Sequence, residues 1–145
     1  MDDLKQGMKV ALANTFLFYM KAHHFHWNVE GPLFLQLHEL FEKIYSEVYG
    51  SVDQFGEEIR ALGSYAPMSI GRFSELSILE EPQGVVPAQE MVTQLMADNN
   101  AILEIIAKVY ELAEQNGAHG LSNFLAERQD AHKKHAWMLR ATSKS

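Results

Sequence analysis

Residues 21–34 read KAHHFHWNVEGPLF, a stretch that crowds His23, His24, His26 and Trp27 together and then breaks at Gly31-Pro32. A neutral imidazole is the commonest protein ligand for a transition metal. Past the break a second run of polar side chains follows, His38, Glu42, Tyr49, Asp53 and Glu57, at separations close to the helical repeat. These residues would share one helix face. The chain has no cysteine, so a thiolate zinc site and a disulfide framework are excluded. Any metal must be held by His, Asp, Glu or backbone oxygen. His26, His38, Asp53 and Glu57 make a two-imidazole, two-carboxylate set of the kind that suits iron, manganese or non-thiolate zinc. The bland alternatives are capping or core histidines and a solvated acidic face.

Geometry restricts how such a set could close on one ion. His26 and His38 flank the break and would face each other in an antiparallel helical hairpin. From His38 to Asp53 is fifteen residues of helix, about 22 Å at 1.5 Å per residue, and Glu57 lies farther still. A single chain cannot span that gap. Either the imidazoles and carboxylates serve different purposes, or two subunits pack antiparallel across a two-fold axis. An isologous dimer of that kind would create two sites at once. Asp53 and Glu57, one turn apart, would repel each other by roughly 0.2–0.5 kcal/mol unless a cation lies between them. No E-x-x-H pattern occurs anywhere in the chain, so a di-iron centre inside one bundle, which needs that motif on two helices, is not expected.

The elements that must position these residues are four long helices and a short one. The pattern predicts helix over about 4–29, apolar on more than one face, ended by Glu30-Gly31-Pro32. A second helix is predicted over 33–62, with Phe34, Leu37, Phe41, Tyr45, Val48, Val52, Phe55, Ile59 and Leu62 as its core stripe and Gly63 as its cap. Residues 64–87 carry Gly, Pro and Ser around a short helical pattern, RFSELSILE, and form a crossover too long for a tight turn. Helices over 88–115, with Val92, Leu95, Ile102, Ile106, Val109 and Ala113 on one side, and over 121–142 complete the chain. The expected fold is all-α: one four-helix-bundle domain over residues 1–145, up-down-down-up because of the long crossover.

Composition agrees. With 47% hydrophobic and 21% charged residues the chain is a folded globular type rather than a disordered one. The run from Val10 to Met20 is too short and too interrupted by Asn14 to span a bilayer. The opening MDDLKQG has no signal-peptide pattern, and a cytoplasmic protein is expected.

The stretch from His24 to Gly63 resembles the Dps family, the mini-ferritins, whose pattern is roughly H-W-N-x-x-G-x-x-F-x-x-L-H followed by D-x-x-x-E. Here His26, Trp27, Asn28, Gly31, Phe34, Leu37, His38, Asp53 and Glu57 meet it, and KKHAWMLRA near the C-terminus resembles the family's last helix. The resemblance implies a hollow homododecamer with ferroxidase sites between two-fold-related subunits, His26 and His38 from one chain and Asp53 and Glu57 from the other. It implies Glu42 as a secondary ligand near a second iron. It further implies oxidation of Fe(II), preferably by hydrogen peroxide, and storage of Fe(III) in the cavity; Zn(II) is a possible competitor. Trp27 would donate electrons or intercept radicals, or simply pack at an interface. His23 and His24 would be supporting donors or surface residues. Positions that align with the family's acidic pore ring are Glu114, His119 and Asn123.

Departures from the family pattern matter too. Gly56 and Glu58 flank Glu57 where relatives often carry Ala and Arg. Relatives that bind DNA commonly use a mobile lysine-rich tail, whereas here the ends are MDD and ATSKS. Net charge is −7, so twelve copies would carry roughly −84 and repel phosphate. Strong DNA binding is not expected. Three readings compete: an iron-storing ferroxidase, a nucleoid-binding shielding protein, and a helical oligomer whose metal site is vestigial or tuned to zinc. The acidic charge disfavours the second and the intact His/carboxylate set the third, which leaves the ferroxidase.

Overall fold

The computed structural model describes residues 1–144, and among these every regular element is helical. The elements are α1 (Asp2–Asn28), α2 (Phe34–Gly50), α3 (Val52–Ala61), α4 (Ile70–Leu76), α5 (Ala88–Gln115) and α6 (His119–Ser143). The helix expected over 33–62 is interrupted once. At Ser51 the hydroxyl donates to the Val48 carbonyl at 2.6 Å and the backbone N–H reaches the same oxygen at 3.1 Å, so side chain competes with ladder. Ser51 stays in the right-handed helical region, which makes this a one-residue interruption rather than a turn. Gly63, at φ +89°, ends α3 as expected. Its N–H bonds Arg60 O at 2.9 Å and Ser64 N–H bonds Ile59 O at 3.2 Å, the paired bonds of a Schellman cap that needs a left-handed residue.

Local contacts define the topology. Leu37 at the start of α2 shares a groove with Ala88 and Val92 at the start of α5 and with Thr142 at the end of α6. At the other end Phe55 of α3 meets Phe124 of α6 edge to face, ring centroids 4.8 Å apart. Thus α2 and α3 run alongside α5 and opposite to α6. The crossover must carry the chain back the length of the bundle, the up-down-down-up order expected.

The core follows the predicted stripes closely. All six apolar positions read on α5 are buried, as are Leu37, Phe41, Val48, Val52, Phe55 and Ile59. Phe34 departs from the expectation: it is 41% exposed and lies against the His38 ring instead of the core. No helix among the described residues is long and apolar enough to cross a membrane. Asn14, the polar interruption in the apolar α1 run, is fully buried and tethers the crossover. Its Oδ1 accepts from Ile78 N–H and from the Ser77 hydroxyl, each at 3.0 Å.

A second polar cluster lies between α2, α5 and α6. Arg128 forks onto both oxygens of Glu47, and His135 Nε2 lies 2.8 Å from Glu47 Oε1. Burial opposes ionisation of Glu47, but hydrogen bonds from His135 and Arg128 and their charge outweigh it and hold its carboxyl far below the ordinary range. A carboxylate whose pKa is depressed by folding adds stability above its unfolded value and loses that stability as pH falls through the folded one.

Two outcomes test these polar anchors. Asn14→Leu strands the Ile78 N–H and should lower unfolding stability in urea by about 1–3 kcal/mol with helix content retained. Glu47→Gln should lower stability at pH 7 by about 1–2 kcal/mol, a charged hydrogen bond discounted for its partial exposure. Thermal unfolding scans should show that deficit shrinking as pH drops below about 4.3, where the unfolded carboxylate begins to protonate.

Candidate metal centre

The turn between α1 and α2 builds the first half of the site. Gly31 takes φ +111°, a conformation that favours glycine, and Phe34 N–H closes back onto its carbonyl at 3.0 Å. That short connection brings the last turn of α1 beside the first turns of α2. His26 Nδ1 then donates to the His38 carbonyl at 2.7 Å, and His38 Nδ1 donates to the His26 carbonyl at 2.8 Å. The His26 carbonyl is free to accept because it lies in the last turn of α1, where carbonyls lack helical partners. The two rings stack at 3.8 Å with a 17° interplanar angle.

These reciprocal bonds assign both tautomers. With each Nδ1 carrying a proton toward a carbonyl, each Nε2 presents a lone pair, the arrangement of a metal-ligating histidine held by a backbone acceptor. Glu42, one turn beyond His38, places Oε1 3.7 Å from His26 Nε2. His26, His38 and Glu42 each offer one ligand atom, all within 4.8 Å of one another, and among the described residues no other trio of His, Asp or Glu does so. His26 is buried, His38 half-buried and Glu42 exposed, so the cluster opens outward.

The other half-set lies elsewhere. Asp53 and Glu57 are exposed on α3, in a groove of about 600 Å³ shared with Tyr49, Arg60 and Met68. Glu57 is raised above its ordinary value by hydrogen bonding with the Asp53 carboxyl and by its negative charge, the mutual repulsion expected of this pair. The chain therefore joins His26, His38 and Glu42 and leaves Asp53 and Glu57 apart from them, as helix rise requires.

Between the two half-sets runs a strip of aromatic rings. His23 stacks on Tyr45 at 3.9 Å and contacts Trp27 at 4.3 Å; Tyr19 contacts Tyr49 at 4.7 Å. The Tyr19 hydroxyl bonds His23 Nδ1 at 2.9 Å. Burial and the adjacent His26 push His23 below its ordinary value, against the pull of Glu42, and burial with neighbouring Tyr49 and Tyr45 pushes Tyr19 up, so both stay neutral at pH 7. The His23 ring lies tilted beside that of His26, centroids 6.0 Å apart. His24 is tied instead to the crossover, Nε2 to Gly84 O at 3.1 Å. Trp27 and Tyr49 are 68% and 55% exposed, a wide apolar surface on the face that carries both half-sets. At the α5–α6 turn, His119 Nδ1 lies 3.6 Å from Glu114.

Sequence reading passed over Arg128, His132 and His135. Their signal was nonetheless present: they stand at i, i+4 and i+7, in register with Leu125 and Leu139 on the buried stripe of α6. Three polar residues at core positions of one helix require partners on the facing helices.

A ferritin-like domain model matches residues 6–144. DNA protection during starvation protein 2 of Bacillus anthracis is 34% identical over 130 residues, covering 90% of this chain and 89% of that protein. The DNA protection during starvation protein of Brevibacillus brevis is 31% identical over 130 residues, covering 90% and 87%. The fold matches the crystal structure of Dps from Staphylococcus aureus with a TM-score of 0.95 and 30% identity over 100% of this chain and 97% of that one. It matches the Vibrio cholerae O1 Dps, described as a member of a broad superfamily of ferritin-like diiron-carboxylate proteins, with a TM-score of 0.94 and 26% identity over 99% and 90%. With its paired imidazoles at the α1–α2 turn and its carboxylates a helix length away, this chain belongs to the ferritin-like family and, within it, to the Dps proteins.

Proposed function

We propose that this protein is a mini-ferritin that oxidises Fe(II), preferably with hydrogen peroxide, at sites shared by two-fold-related subunits, and stores Fe(III) in the cavity of a dodecamer. The observation that carries this reading is the pair of imidazoles with fixed tautomers, both Nε2 lone pairs free and Glu42 beside them. They stand at one end of an exposed aromatic face whose other end bears Asp53 and Glu57. An antiparallel partner laid on that face would bring its carboxylates to these imidazoles and receive the reciprocal pair, closing both sites in one step. Its apolar component, Trp27 and Tyr49, would supply burial for the contact.

In this site His26, His38, Asp53 and Glu57 hold the substrate iron, and Glu42 serves a second ion. Two Fe(II) ions supply the two electrons that reduce one peroxide to water, so the O–O bond is cleaved without releasing hydroxyl radical. The bonds from His26 and His38 to backbone carbonyls keep the ring nitrogens aimed through that change of charge. The Asp53–Glu57 repulsion, unfavourable in the free chain, becomes favourable once a cation lies between the carboxylates. Zn(II) fits the same donor set and would compete. Oxygen is the slower alternative oxidant. The protein acts in the cytoplasm as protection against oxidative damage, in keeping with relatives named for DNA protection. The alternative, a nucleoid-binding shielding protein, is disfavoured by the net charge of −7 per chain.

Replacing both Asp53 and Glu57 by alanine should reduce the rate of peroxide-driven Fe(II) oxidation by at least about 100-fold, beyond the loss typical of a supporting hydrogen-bond partner. Light scattering should find the oligomer intact; an unchanged rate would remove these carboxylates from the site. In a gel-shift assay at physiological salt the protein should leave duplex DNA unretarded, and a clear shift would favour the shielding alternative.

A further inference from the structure

Arg60 stands one turn beyond Glu57 on α3, a spacing at which glutamate and arginine favour an ion pair on a helix. Asp53 and Glu57 already repel each other, so a cation in that position has two carboxylates to neutralise. It neutralises neither. Among the described residues Arg60 forms no ion pair; its Nη1 donates instead to the Ser64 carbonyl at 3.0 Å, and its guanidinium carbon lies over the Tyr65 ring, 4.7 Å from the centroid. Yet Asp53, Glu57 and Arg60 line one groove of about 600 Å³, so distance along the chain is not the obstacle. The Glu57 carboxyl agrees. Its pKa is raised by hydrogen bonding with Asp53 and by that residue's charge, where a guanidinium in contact would lower it.

The fold supplies the hold. The cap at Gly63 reverses the chain, and the residues after it run back over α3: a Cβ placed on Gly56 would lie 3.8 Å from that of Ala66, and Ala66, Pro67 and Met68 share the groove wall with Glu57. Core packing does not account for Tyr65, which is 83% exposed. What its ring covers is the guanidinium. The balance of forces favours this arrangement. An exposed carboxylate–arginine pair is weak and screened by salt. A bond from a charged donor to a carbonyl fixed by the cap, and a cation–π contact beside it, act together against that pair. Asp53 and Glu57 are thereby left without a cation of their own, which is the condition for attracting one from solution.

We propose that Tyr65 is a positioning residue for the carboxylate half-set: with the Ser64 carbonyl it holds the Arg60 guanidinium off Asp53 and Glu57, and so preserves the pair's affinity for a divalent cation. The inference rests on the reading of Asp53 and Glu57 as metal ligands and goes beyond it, since it concerns what keeps this chain's own arginine from taking the place of the ion. Nothing in it depends on the oxidation chemistry.

Zn(II) is the probe, and calorimetric titration of the full-length oligomer is the measurement. Tyr65→Ala removes the ring, lets Arg60 turn onto the carboxylates, and should weaken Zn(II) binding at least about threefold, the order of an exposed ion pair that must be broken first. Adding Arg60→Gln should restore the affinity of the unaltered protein, because no guanidinium then competes. Tyr65→Phe keeps the π face and should bind as the unaltered protein does. The binding compared is the part that Asp53→Ala with Glu57→Ala abolishes. Unweakened binding by Tyr65→Ala overturns the proposal. So does a deficit that Arg60→Gln leaves in place, because Tyr65 would then act through packing or assembly. Should Asp53→Ala with Glu57→Ala bind Zn(II) undiminished, the metal-ligand reading itself fails, an outcome separate from these two and one that removes the proposal with it. Should light scattering show that Tyr65→Ala disturbs the oligomer, Tyr65→Leu, which keeps bulk without a π face, replaces it in the same series.

Discussion

A straight α-helix cannot bring together residues fifteen positions apart, and that constraint shapes everything else in this molecule. His38 and Asp53 lie on the same face of nearly continuous helix, interrupted only at Ser51, with about 22 Å of rise between them. The sequence places good ligands at both ends of this rod and provides no way for one chain to close them. The surface between the ends is accordingly not a solvated polar face. It is a strip of rings, Trp27, His23, Tyr45, Tyr19 and Tyr49, with its outer members left exposed. Large exposed aromatics flanked by charged side chains mark a surface that meets another protein. In the proposed assembly the apolar strip and the two half-sets act together, since the contact that buries the rings is the one that completes the chemistry.

The half-site at the α1–α2 turn shows how backbone incompleteness becomes useful. A helix end leaves carbonyls without partners, and here one of them, on His26, is taken by the ring of His38. The return bond from His26 makes the arrangement mutual, so each imidazole can rotate only by breaking its own bond to the other residue's carbonyl. Two nitrogens are thereby aimed with no side chain beyond the ligands themselves. The break at Gly31-Pro32 is the means: a short connection puts the two helix ends side by side, and glycine alone accepts φ +111° there without strain.

Inside the bundle the same residue types meet a different fate. Glu47, His132 and His135 are held around the buried guanidinium of Arg128, whose charge the half-buried Glu47 side chain balances without an ion from solution. A charge pair of this kind adds less to stability than its geometry implies, because both partners surrender hydration. It does make the interior self-sufficient in charge, whereas the outer cluster of His26, His38 and Glu42 has no internal cation. The contrast between polar residues that satisfy one another within the bundle and a set left open at the surface separates the structural polar residues from the chemical ones.

Much of this was legible in the residues alone. The stripe from Val92 to Ala113, the break at Glu30-Gly31-Pro32 and the cap at Gly63 are local patterns, and local patterns fix helix type, ends and buried face because backbone bonding and side-chain periodicity act within a few residues. The separation of His38 from Asp53 followed equally from helix rise. What the tertiary structure decided was partnership. Nothing near Ser51 in the pattern announced that its hydroxyl would interrupt the long helix, and Asn14 read as a blemish in an apolar run until the crossover supplied Ile78 and Ser77. The polar residues on the core stripe of α6 are visible in the sequence, but their meaning depends on Glu47 and Asn99, 81 and 33 residues away from Arg128 and His132. Periodicity tells which face of a helix is buried; only the packing of helices in three dimensions determines which distant donor meets which acceptor.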